Sequence, residues 1–357
     1  MQTSKSIRKK NSRSADLNRL NHDLRAKTLI SDVRSGLIKN IKSQLTAEDL
    51  SKKSNGITLL HVLLERSELH EILDLLTIEM LVAQDWLSVP PFFWLSELVD
   101  KKRLPDIEHL LTAKNIAMPD SRGSALLHYL PFAGYLHKIK HLLTQEHLRL
   151  KDADGNTVVH IAAEKADLIA IRHLLTPDML KERNNEGWTV PHIAAENGCL
   201  EDIKNMLSSE FLSQKNDTGW AVVHSAAAEG YLGFILDFHT PDVLLTETDD
   251  GSTAVHVAAR CGMLCTLSGR NLPAKYFTKK NEKGETPVDA FIAFEMLKAE
   301  YDVERGERGG VLAGSHDCDN RTTHVKVQEK FIAAVRFMLE LFPDETQSTI
   351  LRKLESI

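Results

Sequence analysis

The sequence predicts an all-α solenoid of about eight stacked helix–turn–helix repeats. The length of 357 residues exceeds what one ordinary compact core accommodates. A histidine recurs with a period of about 33 residues, and a glycine stands five positions before it, which is the periodicity of a repeat array. The histidine positions are His61, His128, His160, His192, His224 and His256, with Trp94 in the gap and Asp289 continuing the series. The glycines are Gly56, Gly123, Gly155, Gly187, Gly219, Gly251 and Gly284.

Each predicted repeat has a local physical basis. The glycine supplies the positive φ of a tight turn. Three positions before the histidine, a threonine such as Thr157 or Thr189 is placed to cap the helix that follows. Small alanines follow the histidine and let neighbouring helices approach closely. After a second glycine, such as Gly198, an amphipathic helix of the kind at 168–175 completes the unit. A histidine present in nearly every unit is expected to form hydrogen bonds between repeats rather than to act as a catalytic base.

These residues resemble the ankyrin repeat family, whose pattern is Gly-x-Thr-Pro-Leu-His-x-Ala-Ala followed by Gly-x-Leu. The copies that match best start at Gly155, Gly187 and Gly251. The resemblance spans about residues 50 to 300. It departs from the family where Val158, Val190 or Ala254 replaces the proline, and in the unit around Trp94.

A further short helical turn is predicted after the second helix of several units. Thr176-Pro-Asp and Thr240-Pro-Asp combine a cap, a proline at the first helical position and an acid in the first turn. This variant is similar to the ankyrin-repeat effectors that intracellular bacterial pathogens inject into host cells. The resemblance implies delivery by a type IV secretion system, a host protein as partner and a location in the host cytosol, with the nucleus as an alternative.

The predicted domain organisation follows the change in pattern along the chain. Residues 1–26 form a basic disordered tail, 27–50 capping helices, 51–302 the repeats, 303–322 a Gly-rich loop and 323–357 a helical C-terminal cap. Segment 1–30 contains eight Lys/Arg and two Asp/Glu of the 44 and 50 in the whole chain, which leaves 36 and 48 for the rest. The acidic body argues against nucleic acid as a ligand. The basic tail is compatible with solvation alone, with nuclear import or with an anionic membrane.

The candidate partner-binding residues lie beside the turns and at the ends of the first helices. In the family, the residue after the turn glycine faces the concave groove, and here that position includes two tryptophans. Trp is enriched among residues that dominate binding energy, although each ring could instead lie back on its own hairpin. The predicted binding set is Trp188, Trp220, Asn156, Ser252, Glu164, Glu196, Glu186, Glu229 and Arg260. Its acidic character predicts a partner that offers Lys/Arg around an apolar anchor.

One segment of the sequence is a candidate for a metal site or a catalytic site. His316, Asp317, Cys318 and His324 include the residue types of a metal site or of a thiol hydrolase with Cys318 as nucleophile. Their spacing matches no structural zinc site, and a Gly-rich loop does not hold catalytic groups rigidly. An exposed polar loop is the simpler interpretation. Cys199, Cys261 and Cys265 are expected to pack in the core. The sequence therefore predicts a monomeric, non-enzymatic interaction protein with no cofactor, no metal and no membrane span, in a reducing compartment.

Overall fold

The computed structural model describes residues 24–51, 53–54, 57–66, 68, 71–77, 80, 110–120, 123–270, 272–310 and 347. The chain divides into two compact units, an N-terminal unit, Met1–Leu175, and a C-terminal unit, Thr176–Ile357. Regular structure in the described residues is almost entirely helical, as predicted. Gly56 itself, the segment around Trp94 and the predicted cap at 323–357, apart from residue 347, lie outside the described residues.

The first described element of the N-terminal unit is a helix over residues 24–34. The predicted tail is therefore wrong at its end, because residues 24–26 are helical. The reason is an apolar face in which Ala26, Ile30 and Val33 are buried at helical spacing. Two short antiparallel strands follow, Lys53–Ser54 and Ile57–Thr58, with Lys53 opposite Thr58. The other helical segments of this unit are Ile38–Ile41, Lys42–Gln44, Ala47–Ser51, Leu59–Glu65, Leu73–Leu75, Ala113–Ile116, Leu126–His128, Pro131–Ala133, Leu136–Ile139, Lys140–Leu142, Gln145–Leu148, Val158–Glu164, Leu168–Ile171 and Arg172–Leu174.

The C-terminal unit repeats one arrangement of a first helix, a glycine break, a short second helix and a third turn. Its segments are Pro177–Lys181, Val190–Glu196, Leu200–Met206, Ser209–Ser213, Val222–Ala228, Leu232–Leu236, Pro241–Leu245, Ala254–Arg260, Leu264–Leu267, Lys275–Thr278 and Pro287–Gly310. Hairpins close before the first helices through the bridges Arg183↔Thr189, Lys215↔Ala221 and Glu247↔Thr253. We name each repeat after the glycine of its hairpin, for example the Gly187 repeat.

The third turns confirm the predicted capping pattern. Thr176 accepts a hydrogen bond from the backbone N–H of Met179, with Pro177 at the first helical position. Ser208 and Thr144 cap their turns in the same way. Thr240 differs, because its side chain makes no cap bond and the turn after it is a 3₁₀ helix.

The last long helix corrects the predicted loop at 303–322. The helix Pro287–Gly310 continues through residues 303–310, so the loop prediction is wrong for this stretch, and residues 311–322 lie outside the described residues. The physical reason is composition. Glu and Arg at 304, 305, 307 and 308 favour helix, no proline interrupts them, and Gly306, the one glycine among them, costs only about 1 kcal/mol.

The recurring histidine joins the start of one helix to the next hairpin. In the Gly187 repeat, His192 Nδ1 accepts from the backbone N–H of Thr189 at 3.4 Å, and Nε2 lies 3.1 Å from the carbonyl oxygen of Trp220 in the following hairpin. An acceptor at Nδ1 and a donor at Nε2 describe a single neutral tautomer. His224 likewise accepts from the Ala221 N–H at Nδ1, but its Nε2 lies 2.9 Å from the carbonyl oxygen of Thr246, which directly precedes the next hairpin. The predicted structural role of the histidine is confirmed.

The histidine is a more constant feature than the threonine beside it. In the Gly219 repeat an alanine, Ala221, replaces the threonine, yet the bond from its N–H to His224 Nδ1 remains at 2.9 Å. In the Gly187 repeat the Thr189 hydroxyl lies 2.7 Å from His192 Nδ1 and makes no bond to the helix N–H groups. Asp289 ends the series: its Oδ2 accepts from the Thr286 N–H, but a carboxylate has no N–H to donate to a further hairpin.

Burial keeps these imidazoles neutral. It lowers the pKa of His192 and of His224 to about 4, and it lowers that of His256 as well. Hydrogen bonds to backbone carbonyls oppose the shift without cancelling it. Protonation at Nδ1 would also remove the acceptor that the Thr189 or Ala221 N–H requires. The neutral form is therefore part of the folded structure.

We expect stability to fall in mild acid. A histidine with a pKa of about 6.5 when unfolded and about 4 when folded takes up a proton preferentially in the unfolded state between these values. Stability is then complete above pH 6.5 and declines as the pH drops toward 4. Each of His192 and His224 should lower the free energy of unfolding by about 2 kcal/mol between pH 7.5 and pH 5. Urea unfolding at these pH values measures the effect.

The His224→Gln variant provides the control for this assignment. It should be less stable than the parent at pH 7.5 but lose about 2 kcal/mol less on going to pH 5, because one titrating group is gone. A variant that keeps the parent's full pH dependence, or a parent equally stable at both pH values, would contradict the assignment.

A second prediction concerns the turn glycine. Gly187 has φ +77°, and a Cβ there would overlap the Asp217 carboxylate of the next hairpin and lie 2.7 Å from the Asp217 backbone nitrogen. Gly187→Ala should therefore cost about 1–2 kcal/mol of backbone strain and about 1–3 kcal/mol of steric conflict. Gly284→Ala is the matched control, since Gly284 has φ +79° but a Cβ added there would meet nothing within 4 Å. Equal losses of unfolding free energy for the two variants would show that close approach of the hairpins is unimportant.

Candidate binding surface

The backbone on either side of each tryptophan is fixed by polar groups. The Trp188 N–H donates to Asn184 Oδ1 at 2.9 Å, and the Trp220 N–H donates to Asn216 Oδ1 at the same distance. The Trp220 carbonyl also accepts from the Asn216 N–H at 2.7 Å. The Trp220 turn is thus held by an asparagine side chain and by the histidine of the preceding repeat. The indole itself makes no contribution to these bonds.

This asparagine position is one that the sequence reasoning missed. An oxygen-bearing side chain eight positions before the histidine, or before Asp289, accepts from the N–H of the residue after the turn glycine in successive repeats. The signal was present in the sequence, because a residue of this kind, usually Asp or Asn, recurs there with the same period. The residues are Asp120, Asp152, Asn184, Asn216, Thr248 and Asn281.

Both indoles are half-buried and pack against their own repeat. The Trp188 ring meets His192 edge-on, with centroids 5.7 Å apart and planes at 76°. Trp220 meets His224 at 6.1 Å and 66°. The rings therefore lie back partly on their hairpins, which was one interpretation of the sequence, and each keeps solvent-exposed area, which the other interpretation requires. Two adjacent repeats present this aromatic surface within the C-terminal unit.

Two exposed carboxylates lie at the ends of the first helices of these repeats. Glu196 is the last residue of Val190–Glu196, and Glu229 directly follows Val222–Ala228. Partial burial, and then the negative charge of Glu229, raise the pKa of Glu196. Neither carboxylate forms an ion pair with any residue that the structure describes. Glu186 is also exposed, in the turn beside Trp188, where its N–H donates to Asn184 Oδ1. This part of the surface carries uncompensated negative charge.

The row of carboxylates ends at Arg260. Its guanidinium lies 3.1 Å from Glu285 Oε2 and 3.8 Å from Asp250 Oδ2. A hydrogen bond from the Thr248 hydroxyl is the main cause that lowers the pKa of Asp250 to about 2. Arg260 is therefore already engaged with acids of its own unit.

The prediction that Ser252 contributes to the binding surface is wrong. This residue is only 1% exposed. Its N–H donates to Thr248 Oγ1, and its hydroxyl accepts from Asn281 Nδ2 of the next hairpin at 3.3 Å. A short serine side chain at this position folds into the hairpin network, whereas the long indole of Trp188 cannot.

The remaining two predicted residues belong to the N-terminal unit. Asn156 is half-buried, and its N–H donates to Asp152 Oδ1 at 2.8 Å. Glu164 pairs with Lys165 Nζ at 2.8 Å. Their place on the same surface as the tryptophans stays a prediction.

The cysteines differ from one another in exposure. Cys199 is buried, as predicted, and burial raises its pKa to about 12, so its thiol is unreactive at neutral pH. Cys261 is half-buried, with a pKa raised mainly by burial. The prediction of a core position is wrong for Cys265, which is exposed. In the segment Leu264–Leu267 the two leucines are the buried residues, and Cys265 lies on the outer side.

The residues considered for metal binding or hydrolysis have no described structure. His316, Asp317, Cys318 and His324 lie outside the described residues. Within the described ranges, no group of three or more His, Cys, Asp or Glu side chains is arranged to hold a metal ion. No helix in those ranges combines the length and apolar character needed to cross a membrane.

Comparison with known proteins supports the repeat interpretation. A family model described as ankyrin repeats matches residues 127–216 in three copies. The comparison with curated proteins gives no match. Among solved structures, the chain is similar to the ankyrin repeat domain of Bcl-3, a unique member of the IkappaB protein family. The identity is 17%, the TM-score is 0.40, and the alignment covers 66% of this chain and 95% of that one. From the family match, together with the hairpins, glycine turns and histidine bonds described above, the chain contains ankyrin repeats, which are recognised over residues 127–216.

Proposed function

We propose that this chain is a non-enzymatic recognition module that binds a partner protein through the surface around Trp188 and Trp220. Ankyrin repeats generally mediate protein–protein interactions, and the matched family is a repeat family of this kind. The proposal specifies where on the repeats the partner binds and what chemistry it presents.

The observation that carries the proposal is the pair of half-exposed indoles in adjacent repeats. The hairpin does not need them, because the same backbone bond forms when the residue is Asn156 or Glu285. Each indole is large, partly exposed and not needed for the turn. Binding of a partner explains why it is there. Tryptophan is among the residue types most enriched at binding hot spots.

The surrounding charge defines the partner's chemistry. Glu186, Glu196 and Glu229 are exposed near the tryptophan-bearing hairpins and their helices, without ion pairs to residues in the described part of the chain. The partner therefore presents an apolar anchor to the indoles and Lys or Arg to the carboxylates. Exposed ion pairs add little affinity individually, about 0–1 kcal/mol, but complementary charge speeds association and selects among partners.

The biological setting that we propose rests on a sequence resemblance. The Thr-Pro-Asp third turns are similar to those of ankyrin-repeat effectors that intracellular bacteria inject. On this hypothesis, the chain acts as a monomer in the host cytosol, with the nucleus as the alternative, and its partner is a host protein. The same surface would serve a cellular partner equally well.

Replacing both tryptophans tests the binding surface. The double variant Trp188→Ala/Trp220→Ala should reduce capture of the partner from a eukaryotic cell lysate by roughly 30-fold or more, since a hot-spot residue contributes at least about 2 kcal/mol. Its folding stability should fall by only about 1–3 kcal/mol, the value of two aromatic ring contacts. Quantitative mass spectrometry of captured proteins and urea unfolding measure the two effects.

Phe238→Ala provides the matched control. Phe238 is 52% exposed in the same unit, and it follows a second helix rather than a turn glycine. Its removal should leave capture unchanged. If the double tryptophan variant captures the same proteins in the same amounts as the parent, the proposed surface is wrong.

A further inference from the structure

A polar groove of about 310 Å³ lies in the N-terminal unit and shares no residue with the surface around Trp188 and Trp220. One wall is the helix over residues 24–34 with the turn that follows it, and the other is the strand pair Lys53–Ser54 and Ile57–Thr58. Besides two isoleucines, the lining consists of Lys27, Ser31, Arg34, Ser35 and Ser54. We call it the N-terminal groove. Its volume is at the lower end of the range of about 300–1,000 Å³ typical of small-ligand sites.

The charged side chains that line the groove are both cationic. Lys27 and Arg34 are exposed and lie seven positions apart, on one face of the helix and about 10 Å apart along its axis. Within the described ranges, neither forms an ion pair, and Asp32 of the same helix contacts neither charge. The two positive charges are therefore available to a ligand.

Three acids of the N-terminal unit are paired with other cations. Asp49 binds Arg25 at 2.8 Å, Glu71 binds Lys42 at 3.3 Å and Glu68 binds Arg66 at 3.4 Å. Each pair removes one acid that could otherwise neutralise the groove. None of these three acids is paired with Lys27 or Arg34.

Hydroxyl groups add hydrogen-bond donors between the two cations. Ser31 lies one helical turn from Lys27 and about one from Arg34, and Ser54 lines the groove from the strand side. The Ser35 hydroxyl is already used, since it donates to the Ser31 carbonyl at 2.9 Å. Ammonium, guanidinium and hydroxyl donors together suit an oxyanion with several acceptor oxygens, and a phosphate monoester offers three oxygens and close to two negative charges.

Two exposed leucines lie close in sequence to the cations of the groove and indicate where such a phosphate is presented. Leu24 is 65% exposed three positions before Lys27, and Leu37 is 42% exposed three positions after Arg34. Leu24 is on the same helix as Lys27 and Arg34, and Leu37 follows the turn after it. Apolar side chains beside Lys and Arg on a surface helix are typical of binding at the membrane interface. Segment 1–30 also carries eight Lys/Arg against two Asp/Glu, which adds attraction to an anionic leaflet. These features favour a lipid over a phosphorylated peptide.

We infer that the N-terminal groove binds the phosphomonoester headgroup of an anionic phospholipid, with Lys27 and Arg34 holding the phosphate and Leu24 and Leu37 contacting the interface. This site is independent of the tryptophan surface. On this inference, the chain has a lipid-binding site in its N-terminal unit in addition to any partner-binding site in its C-terminal unit.

Vesicle co-sedimentation of the full chain tests the inference. Phosphatidylcholine vesicles containing phosphatidylinositol bisphosphate should bind the protein more tightly than vesicles in which phosphatidylserine supplies the same total charge, because phosphatidylserine has no phosphomonoester. Lys27→Ala/Arg34→Ala should weaken binding on the order of 30-fold. Ser31→Ala/Ser54→Ala, which keeps the charge, should reduce the preference for the bisphosphate lipid. Unchanged thermal midpoints of both variants show that they fold.

Lys39→Ala/Lys114→Ala is the matched control, because it removes two exposed lysines of the same unit that do not line the groove. It should retain at least most of the binding. An equal loss in this control, equal binding to the phosphatidylserine vesicles, or absence of binding to any vesicle would overturn the inference. So would binding of a phosphoserine peptide but not of vesicles. Trp188→Ala/Trp220→Ala should bind vesicles like the parent, which separates this result from that of the proposed function.

Discussion

The repeats depend on a buried neutral imidazole that forms hydrogen bonds in two directions. At Nδ1 it accepts from the N–H at the start of its own helix, and at Nε2 it donates to a carbonyl of the next hairpin, as His192 does to Trp220 and His256 does to Glu285. Only the neutral ring with its proton on Nε2 can do both. Because a repeat protein is stabilised mainly by contacts between neighbours, this bond couples local helix initiation to the stacking of the array.

One consequence is that the position after the turn glycine is free to vary. An Asp, Asn or Thr side chain holds its N–H, and the preceding histidine can hold its carbonyl, so the hairpin forms whether the residue is Asn156, Trp188, Trp220 or Glu285. Residues at this position can therefore change with the ligand at little cost in folding. On the proposed function, the pair of tryptophans is an instance of a constant backbone carrying variable recognition groups.

The period of the sequence was sufficient to predict the histidine bonds, the turn glycines and the capped third turns, because each depends on residues that recur in step along the chain. The features that it did not predict depend on particular neighbours in space. Ser252 is buried because Asn281 of the next hairpin binds its hydroxyl. Arg260 is neutralised by Glu285, which belongs to the following hairpin. The helix Pro287–Gly310 is different, because its Glu and Arg residues favour helix and the glycines among them were given too much weight.

The surface around Trp188 and Trp220 and the N-terminal groove carry opposite charges. Carboxylates beside Trp188 and Trp220 attract Lys or Arg and repel phosphate, whereas Lys27 and Arg34 do the reverse. A ligand suited to one surface is therefore disfavoured at the other. The opposite charges alone provide this specificity, without any additional contact. The same separation appears in the whole sequence, in which segment 1–30 is net positive and the rest is net negative. On the two proposals, a basic partner and an anionic lipid therefore do not compete for the same residues.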